Sequence, residues 1–188
     1  ADLGDVRARV FHVGPLTSRD MDLEFLKAVS ARGEVSLDVQ GLLREVEGGE
    51  IVPAGWPERR KGLACVGILK ADASEARLLS GEEDPEQAAR FLAELGPREV
   101  IVTLGSKGSL VLVEGRLQRI PCIPIVDVVD PTGCGDTYIA GYLDRRLDGE
   151  DPERAARFAA ALAALKLRSV GPFRGRAADA ERLLAQSA

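Results

Sequence analysis

Residues Ile125 to Leu143 read IVDVVDPTGCGDTYIAGYL. A β-branched run ends at Asp130, Pro131 and Thr132 turn the chain, Gly133-Cys134-Gly135 follows, and a helix is predicted to start near Asp136. Two glycines at such a junction open backbone conformations that a Cβ forbids, and they let a ligand come close to the main chain. The first N–H groups of a helix have no intrahelical acceptor and lie at the positive end of its dipole. The junction is therefore a ready anion site. Asp136 stands at the same point. As a cap it would stabilise the helix by about 0.5–2 kcal/mol. As a catalyst it would accept a proton from a hydroxyl attacking a phosphate held by the glycine N–H groups. Mechanics alone leaves both readings open.

Outward from that junction the chain alternates short β-branched runs with helical patterns. Arg9–Val13, Glu34–Asp38, Leu63–Leu69, Glu99–Leu104 and Ser109–Val113 read as strands. Apolar stripes at helical spacing lie between and after them: Met21, Phe25 and Val29 with Leu26; Ala88, Phe91, Leu92 and Leu95; Ile139, Leu143 and Leu147. Thr17 or Ser18 is placed to cap the first helix. Continuous apolar strands separated by helices predict an α/β fold with a parallel sheet covered on both faces. Ser109 to Ile120, SLVLVEGRLQRI, alternates about a Glu-Gly pair and predicts a hairpin. Beyond Asp136 the pattern is helical over roughly 136–147, 152–168 and 177–186, broken at Gly149–Pro152 and Gly171–Gly175. Gly48 to Gly62, with Pro53, Gly55 and Pro57, reads as a surface loop. Its cluster Arg59, Arg60 and Lys61 reads as solvated rather than as a phosphate clamp.

Composition narrows the function. The 188 residues are 45% hydrophobic and 29% charged, ordinary globular material, and one domain over 1–188 is the expectation. The densest apolar run, Phe158 to Leu165, is far too short to span a bilayer, and the start shows no secretory pattern. A net charge of -5 disfavours a nucleic-acid partner. Cys65, Cys122 and Cys134 are widely spaced and form no CxxC, which fits a reducing cytoplasm. The single histidine, His12, excludes any mechanism that needs two, and it reads as structural. Cys65 and Cys122 read as small hydrophobes on apolar strands, and Trp56 as a partial core plug.

Other phosphate motifs are missing. There is no GxxxxGK(S/T) loop, Tyr138 stands where a GxGxxG needs its third glycine, and no GxSxG occurs. Asp130-Pro-Thr-Gly-Cys-Gly-Asp136 instead resembles the DTxGAGD signature of the PfkB, or ribokinase-like, carbohydrate kinases. Further matches fall in order. Lys70-Ala-Asp-Ala-Ser-Glu75 followed by Leu79-Ser-Gly81 looks like that family's NxxE segment, and Val102-Thr-Leu-Gly105-Ser-Lys-Gly108 like its TxGxxG nucleotide loop. Ser36 to Arg44 resembles a segment closing an earlier strand. Leu69-Lys-Ala, Asp38-Val-Gln, Val129-Asp-Pro-Thr-Gly and Ser169-Val-Gly-Pro172 are similar to the myo-inositol-kinase-like branch.

The resemblance implies a Rossmann-like parallel sheet flanked by helices and transfer of the γ-phosphoryl group of ATP to an alcohol of a small sugar, polyol or nucleoside. Asp136 would be the general base, and the N–H groups of Gly133, Cys134 and Gly135 the anion hole. Thr103, Gly105 and Gly108 would line the nucleotide, with Lys107 near, and the helix carrying Ala160 and Ala163 would pack beside adenine. Glu75 would place Mg²⁺ through water, with Asp72 adding charge near the metal where the family has Asn. Asp130 would belong to a monovalent-cation site, with K⁺ the candidate. Glu75, Asp72 and Lys107 have plainer readings too: a first-turn carboxylate, an N-cap for a helix at 73–80 and a solvated lysine. Cys134 for alanine and Pro131 for threonine are mild departures. The serious departure is length. The chain matches only the middle and C-terminal parts of the family, so the expectation is an incomplete domain that lacks the N-terminal lid portion gripping the acceptor. The exposed edge or face this leaves suggests a homodimer. Two alternatives to a kinase remain: a non-catalytic nucleotide-binding module and a purely structural one.

Overall fold

The computed structural model describes residues 3–187. They divide into two compact units: one runs to Val102 and takes in Leu112–Leu117, the other comprises Thr103–Val111 and the chain from Gln118 onward.

In chain order the elements are β1 (Val10–Val13), α1 (Leu23–Ser30), β2 (Glu34–Asp38), β3 (Arg44–Glu47), β4 (Glu50–Pro53), α2 (Arg59–Leu63), β5 (Ile68–Asp72), α3 (Ala73–Ser80), α4 (Pro85–Ala93), β6 (Glu99–Thr103), β7 (Ser109–Val113), β8 (Arg116–Ile120), α5 (Cys134–Leu147), α6 (Pro152–Lys166) and α7 (Ala177–Ser187). Six strands share a mostly parallel sheet in the order β1-β2-β5-β6-β7-β8. Parallel pairing sets Phe11 opposite Val35, and Leu37 opposite Leu69. Four successive residues are buried in β2 (Val35 to Asp38), in β5 (Ile68 to Ala71) and in β6 (Glu99 to Val102). That unbroken burial is what a sheet covered on both faces requires, and it confirms the predicted α/β architecture.

In the first unit the core gathers Leu26 and Val29 of α1, Leu37 of β2, Leu69 of β5, Leu79 of α3 and Leu92 of α4, all essentially inaccessible. Trp56 is half-buried against Gly62 of α2, where any larger residue would overlap its ring. In the second unit α5 and α6 pack closely because position 141 has no side chain: a Cβ there would come 2.5 Å from a Leu162 methyl and 3.4 Å from Ala159 Cα. Phe158, Ala161, Leu162 and Ala164 of α6 join Ile123 and Ala180 in that unit's core. No helix among the described residues is long and apolar enough to cross a membrane.

Several boundaries differ from expectation. The stretch read as a loop at 48–62 holds the Gly48–Gly49 turn (φ +59° and +90°) and second strand of an antiparallel ribbon, β3–β4, and then most of α2. Leu63 therefore ends a helix, and its strand starts only at Ile68. The cap of α1 is Asp22, whose carboxylate accepts from the Phe25 N–H at 2.8 Å. Thr17 lies in a separate turn, its N–H and that of Leu16 both donating to Asp20. The β-branched run before Asp130 is not a strand: the Val129 and Asp130 N–H groups donate to the Leu167 carbonyl (2.7 and 3.3 Å), and Val126 stands almost fully in solvent. The hairpin β7–β8 forms as predicted, Glu114 and Gly115 both adopting positive φ (49° and 77°) as a two-residue primed turn demands. Cys65, Cys122 and Cys134 are all free and half-buried, although neither Cys65 nor Cys122 lies in a strand. His12 Nδ1 is 3.1 Å from Ser36 Oγ, a satisfied structural histidine.

Candidate active site

The start of α5 is built unlike those of α1, α3, α4 and α6. α1, α3, α4 and α6 each begin behind an aspartate (Asp22, Asp72, Asp84, Asp151) whose carboxylate accepts first-turn N–H groups. α5 begins behind Gly133, held at φ +80°, with no side-chain cap. The Cys134 N–H turns back onto the Pro131 carbonyl (3.1 Å), while the Gly135 and Asp136 N–H groups have no acceptor among the described residues. The exposed Asp136 carboxylate likewise has no hydrogen-bond partner there; its Oδ2 lies 3.9 Å from where a Cβ on Gly133 would sit. The helix end thus offers unsatisfied donors and the positive end of its dipole, with a free carboxylate alongside. Thr137 fixes the turn from below: its Oγ1 and its N–H both donate to the Gly133 carbonyl (2.8 and 2.9 Å).

Beside this helix end lies a cavity of about 630 Å³ within the second unit, a volume typical of small-molecule and cofactor sites. It brings together most of the residues predicted to hold the nucleotide. Thr103, Gly105 and Gly108 line it from one loop, Cys134 and Gly135 from the start of α5, and Ala160 and Ala163 from α6. Ile123, Ile125, Val128 and Leu167 extend the apolar wall. Lys107 is exposed and does not line the cavity. At its base the Tyr138 hydroxyl and Ser109 Oγ are 2.8 Å apart, and burial pushes the Tyr138 phenol up to about 12. Partial burial also raises the Cys134 thiol, whose Sγ lies 3.7 Å from the Ala163 carbonyl.

In the first unit, Glu75 and Asp72 form a reciprocal capping box at the start of α3. The Asp72 carboxylate accepts from the Glu75 N–H (2.8 Å) and from Ser74 Oγ (2.6 Å), and Glu75 Oε2 accepts from the Asp72 N–H (2.7 Å). The plain N-cap reading of Asp72 is thus realised, on a helix that spans residues 73–80 as expected. One oxygen of each carboxylate stays outside the box, a donor set that fits a hydrated magnesium ion better than direct ligation. No group of three His, Cys, Asp or Glu among the described residues could hold a metal ion. Desolvation raises the Glu75 carboxyl above the usual range. The carboxyl ends of β2 and β5 carry a buried ion pair that sequence reasoning passed over, Lys70 Nζ to Asp38 Oδ2 at 2.7 Å.

The second residue it passed over is Lys166, the last of α6 and completely buried. Its ammonium donates to the main-chain carbonyls of Asp130 and Ser169, both at 3.0 Å, and lies 3.6 Å from Asp130 Oδ2. The Asp130 carboxylate also accepts from the Thr132 N–H (2.9 Å), which chiefly keeps it below its usual range.

An uncapped helix start facing an apolar slot is the arrangement that suits an anion carried on an apolar body. Residues 50–175 match the pfkB family of carbohydrate kinases, and the chain belongs to that family. It is 30% identical over 154 residues to the cytidine kinase of Thermococcus kodakarensis, covering 80% of this chain and 52% of that protein. It is 34% identical over 153 residues to the ribokinase of Arabidopsis thaliana, covering 77% of this chain and 37% of that one. The chain thus spans about half the length, or less, of these relatives. Among solved structures, a pyrophosphate-dependent myo-inositol-1 kinase converted into a myo-inositol-3 kinase superposes with a TM-score of 0.86 at 25% identity, covering 97% of this chain and 65% of that one. The Arabidopsis ribokinase complexed with ribose and ATP gives 0.76 at 28%, covering 94% and 56%.

Proposed function

We propose that this chain is the donor-binding and catalytic part of an ATP-dependent phosphotransferase that moves a γ-phosphoryl group to an alcohol of a small sugar, polyol or nucleoside. One observation carries the reading: the α5 start is left without a cap beside an apolar cavity lined by Thr103, Gly105, Gly108, Ala160 and Ala163. Adenine would lie against Ala160 and Ala163, and the phosphates would run along the Thr103–Gly108 loop, with Lys107 reaching in from outside. The terminal phosphoryl would meet the free N–H groups at Gly135 and Asp136, with Gly133 giving the close approach. Cys134 contributes its small side chain to the slot, its own N–H being used within the turn. The Asp136 carboxylate would take the proton of the attacking hydroxyl as its oxygen bonds to phosphorus and the bond to the β-phosphate oxygen breaks. Donors fixed in a site of this kind stabilise the transferred charge without reorganising. Magnesium, when bound, would neutralise charge on the nucleotide phosphates.

Pyrophosphate is a second candidate donor, favoured by the likeness to a pyrophosphate-dependent kinase. The apolar cavity supports a nucleoside instead, because pyrophosphate has no base to fill it. Single-turnover phosphorylation with ATP and Mg²⁺ across a panel of sugars, polyols and nucleosides tests the proposal, and Asp136→Asn should lower turnover by about 10²–10⁴-fold. Calorimetric ATP binding without turnover on any acceptor would favour the non-catalytic module. Absence of any thermal shift with ATP would favour a structural one. The three free cysteines suit a reducing cytoplasm. A homodimer, suggested by the exposed Val46 and Ile51 of the β3–β4 ribbon, is tested by sedimentation velocity, a monomer overturning it.

A further inference from the structure

An ammonium withdrawn from water is strongly unfavourable unless oxygens replace its hydration shell. Lys166 is fully buried, and the oxygens that meet it come from two separate loops. One is the Asp130 carbonyl, together with the more distant Asp130 carboxylate, just ahead of the Gly133 turn. The other is the Ser169 carbonyl, just after α6. Two carbonyls and a carboxylate aimed at one point are the donor set of a hard monovalent cation, and here that point is already taken. The same two loops are joined by the N–H groups of Val129 and Asp130 on the Leu167 carbonyl. Lys166 Cε lies 3.7 Å from the position of a Cβ on Gly133, so the charge sits directly under the turn that opens the anion site.

We propose that Lys166 is a built-in, covalently tethered cation: it holds the Asp130 loop in place, positions the Gly133 turn for the nucleotide, and makes a free potassium ion unnecessary. Asp130 is still a cation ligand, but its cation belongs to the chain. Lys166 is a positioning residue, since it reaches the nucleotide only through the turn above it. The proposal rests on the phosphotransferase reading for its nucleotide half only.

The experiment measures two quantities on the whole chain at constant ionic strength, with tetramethylammonium, lithium, sodium or potassium as the only cation: melting temperature without nucleotide, and ATP affinity by calorimetry. For the parent protein neither should change by more than about twofold in affinity or a degree in Tm. Lys166→Met keeps the unbranched apolar stem and removes the ammonium, leaving the loop oxygens unpaired. Its Tm should fall by roughly 6–20 °C, and ATP affinity should fall with it. Potassium or ammonium should restore much of both, whereas lithium and tetramethylammonium should not. A merely structural lysine would give no such selectivity among cations. Clear potassium dependence of the parent protein, or a Lys166→Met variant that loses nothing or regains nothing with any cation, would overturn the proposal. Should Lys166→Met fail to fold even in potassium, Lys166→Arg decides. Potassium-independent stability and binding in Lys166→Arg support the tethered charge, and their loss contradicts it. If the parent binds no ATP, the phosphotransferase reading fails, and the melting data still judge the tethered cation.

Discussion

Gly105 and Gly108 lie three residues apart in one cavity-lining loop, and replacing each by alanine should have very different effects. Both have positive φ, +59° and +87°. At Gly105 an added methyl meets no atom within 4 Å. Its cost is the left-handed conformation alone, about 1–2 kcal/mol, partly offset by about 0.4–1 kcal/mol from a stiffer unfolded chain. At Gly108 the backbone is at φ +87°, ψ −137°, close to the region that only glycine occupies. The methyl would overlap the Ile120 carbonyl oxygen and approach the Cys122 nitrogen to 2.8 Å. Neither atom can swing away as a side-chain tip would, so the main chain must shift. Strain of about 1–3 kcal/mol plus overpacking of about 1–3 kcal/mol gives roughly 4 kcal/mol. For a chain of this size that is a Tm loss of about 8–16 °C for Gly108→Ala, against about 1–4 °C for Gly105→Ala. Scanning calorimetry on both variants, with chemical denaturation as a check, measures the contrast. Equal losses, or a smaller loss at Gly108, would refute the idea that close approach of the 120–122 backbone fixes that glycine.

Three further outcomes follow from the same geometry. Tyr138, raised from 10.0 to about 12, contributes stability that is complete below pH 10 and is lost as pH rises through 12. Absorbance titration should show this phenol ionising late, with up to roughly 3 kcal/mol of stability lost across that window. Asp38→Asn leaves the buried Lys70 ammonium without its counter-charge and should cost about 3–5 kcal/mol in urea unfolding; a loss under one-third of that would mean water reaches the pair. Gly141→Val should separate α5 from α6, because even a Cβ meets Leu162 there. A destabilisation of about 1–3 kcal/mol by thermal melt is expected, and a neutral result would show that the helices slide freely.

The site was more legible in the sequence than its supports. Asp130 to Asp136 could be read because glycine spacing, turn residues and a carboxylate at a helix start are all local signals, and the helix does begin there, two residues early at Cys134. The β7–β8 turn was legible for the same reason. What sequence reading missed depends on tertiary partners. Glu45 to Val52 alternates well enough for a ribbon, but the nearby Pro53, Gly55 and Pro57 pointed to loop. Ile125 to Val129 has strand composition, yet its hydrogen bonds go to Leu167 rather than to a sheet. Lys166 closes an alanine-rich helix, where a lysine ordinarily complements the dipole in water. Only the fold reveals that it is buried, because its oxygens come from positions 130 and 169.

The bare start of α5 also bears on engineering. A design procedure that rewards well-finished helices would place Asn, Asp or Ser at position 133, copying what Asp22, Asp84 and Asp151 do elsewhere. Unlike those aspartates, position 133 is held at φ +80°, so such a side chain would strain the turn by about 1–2 kcal/mol while competing for the amides that a phosphate would otherwise occupy. Finishing this helix in the usual way would therefore seal the molecule without toughening it.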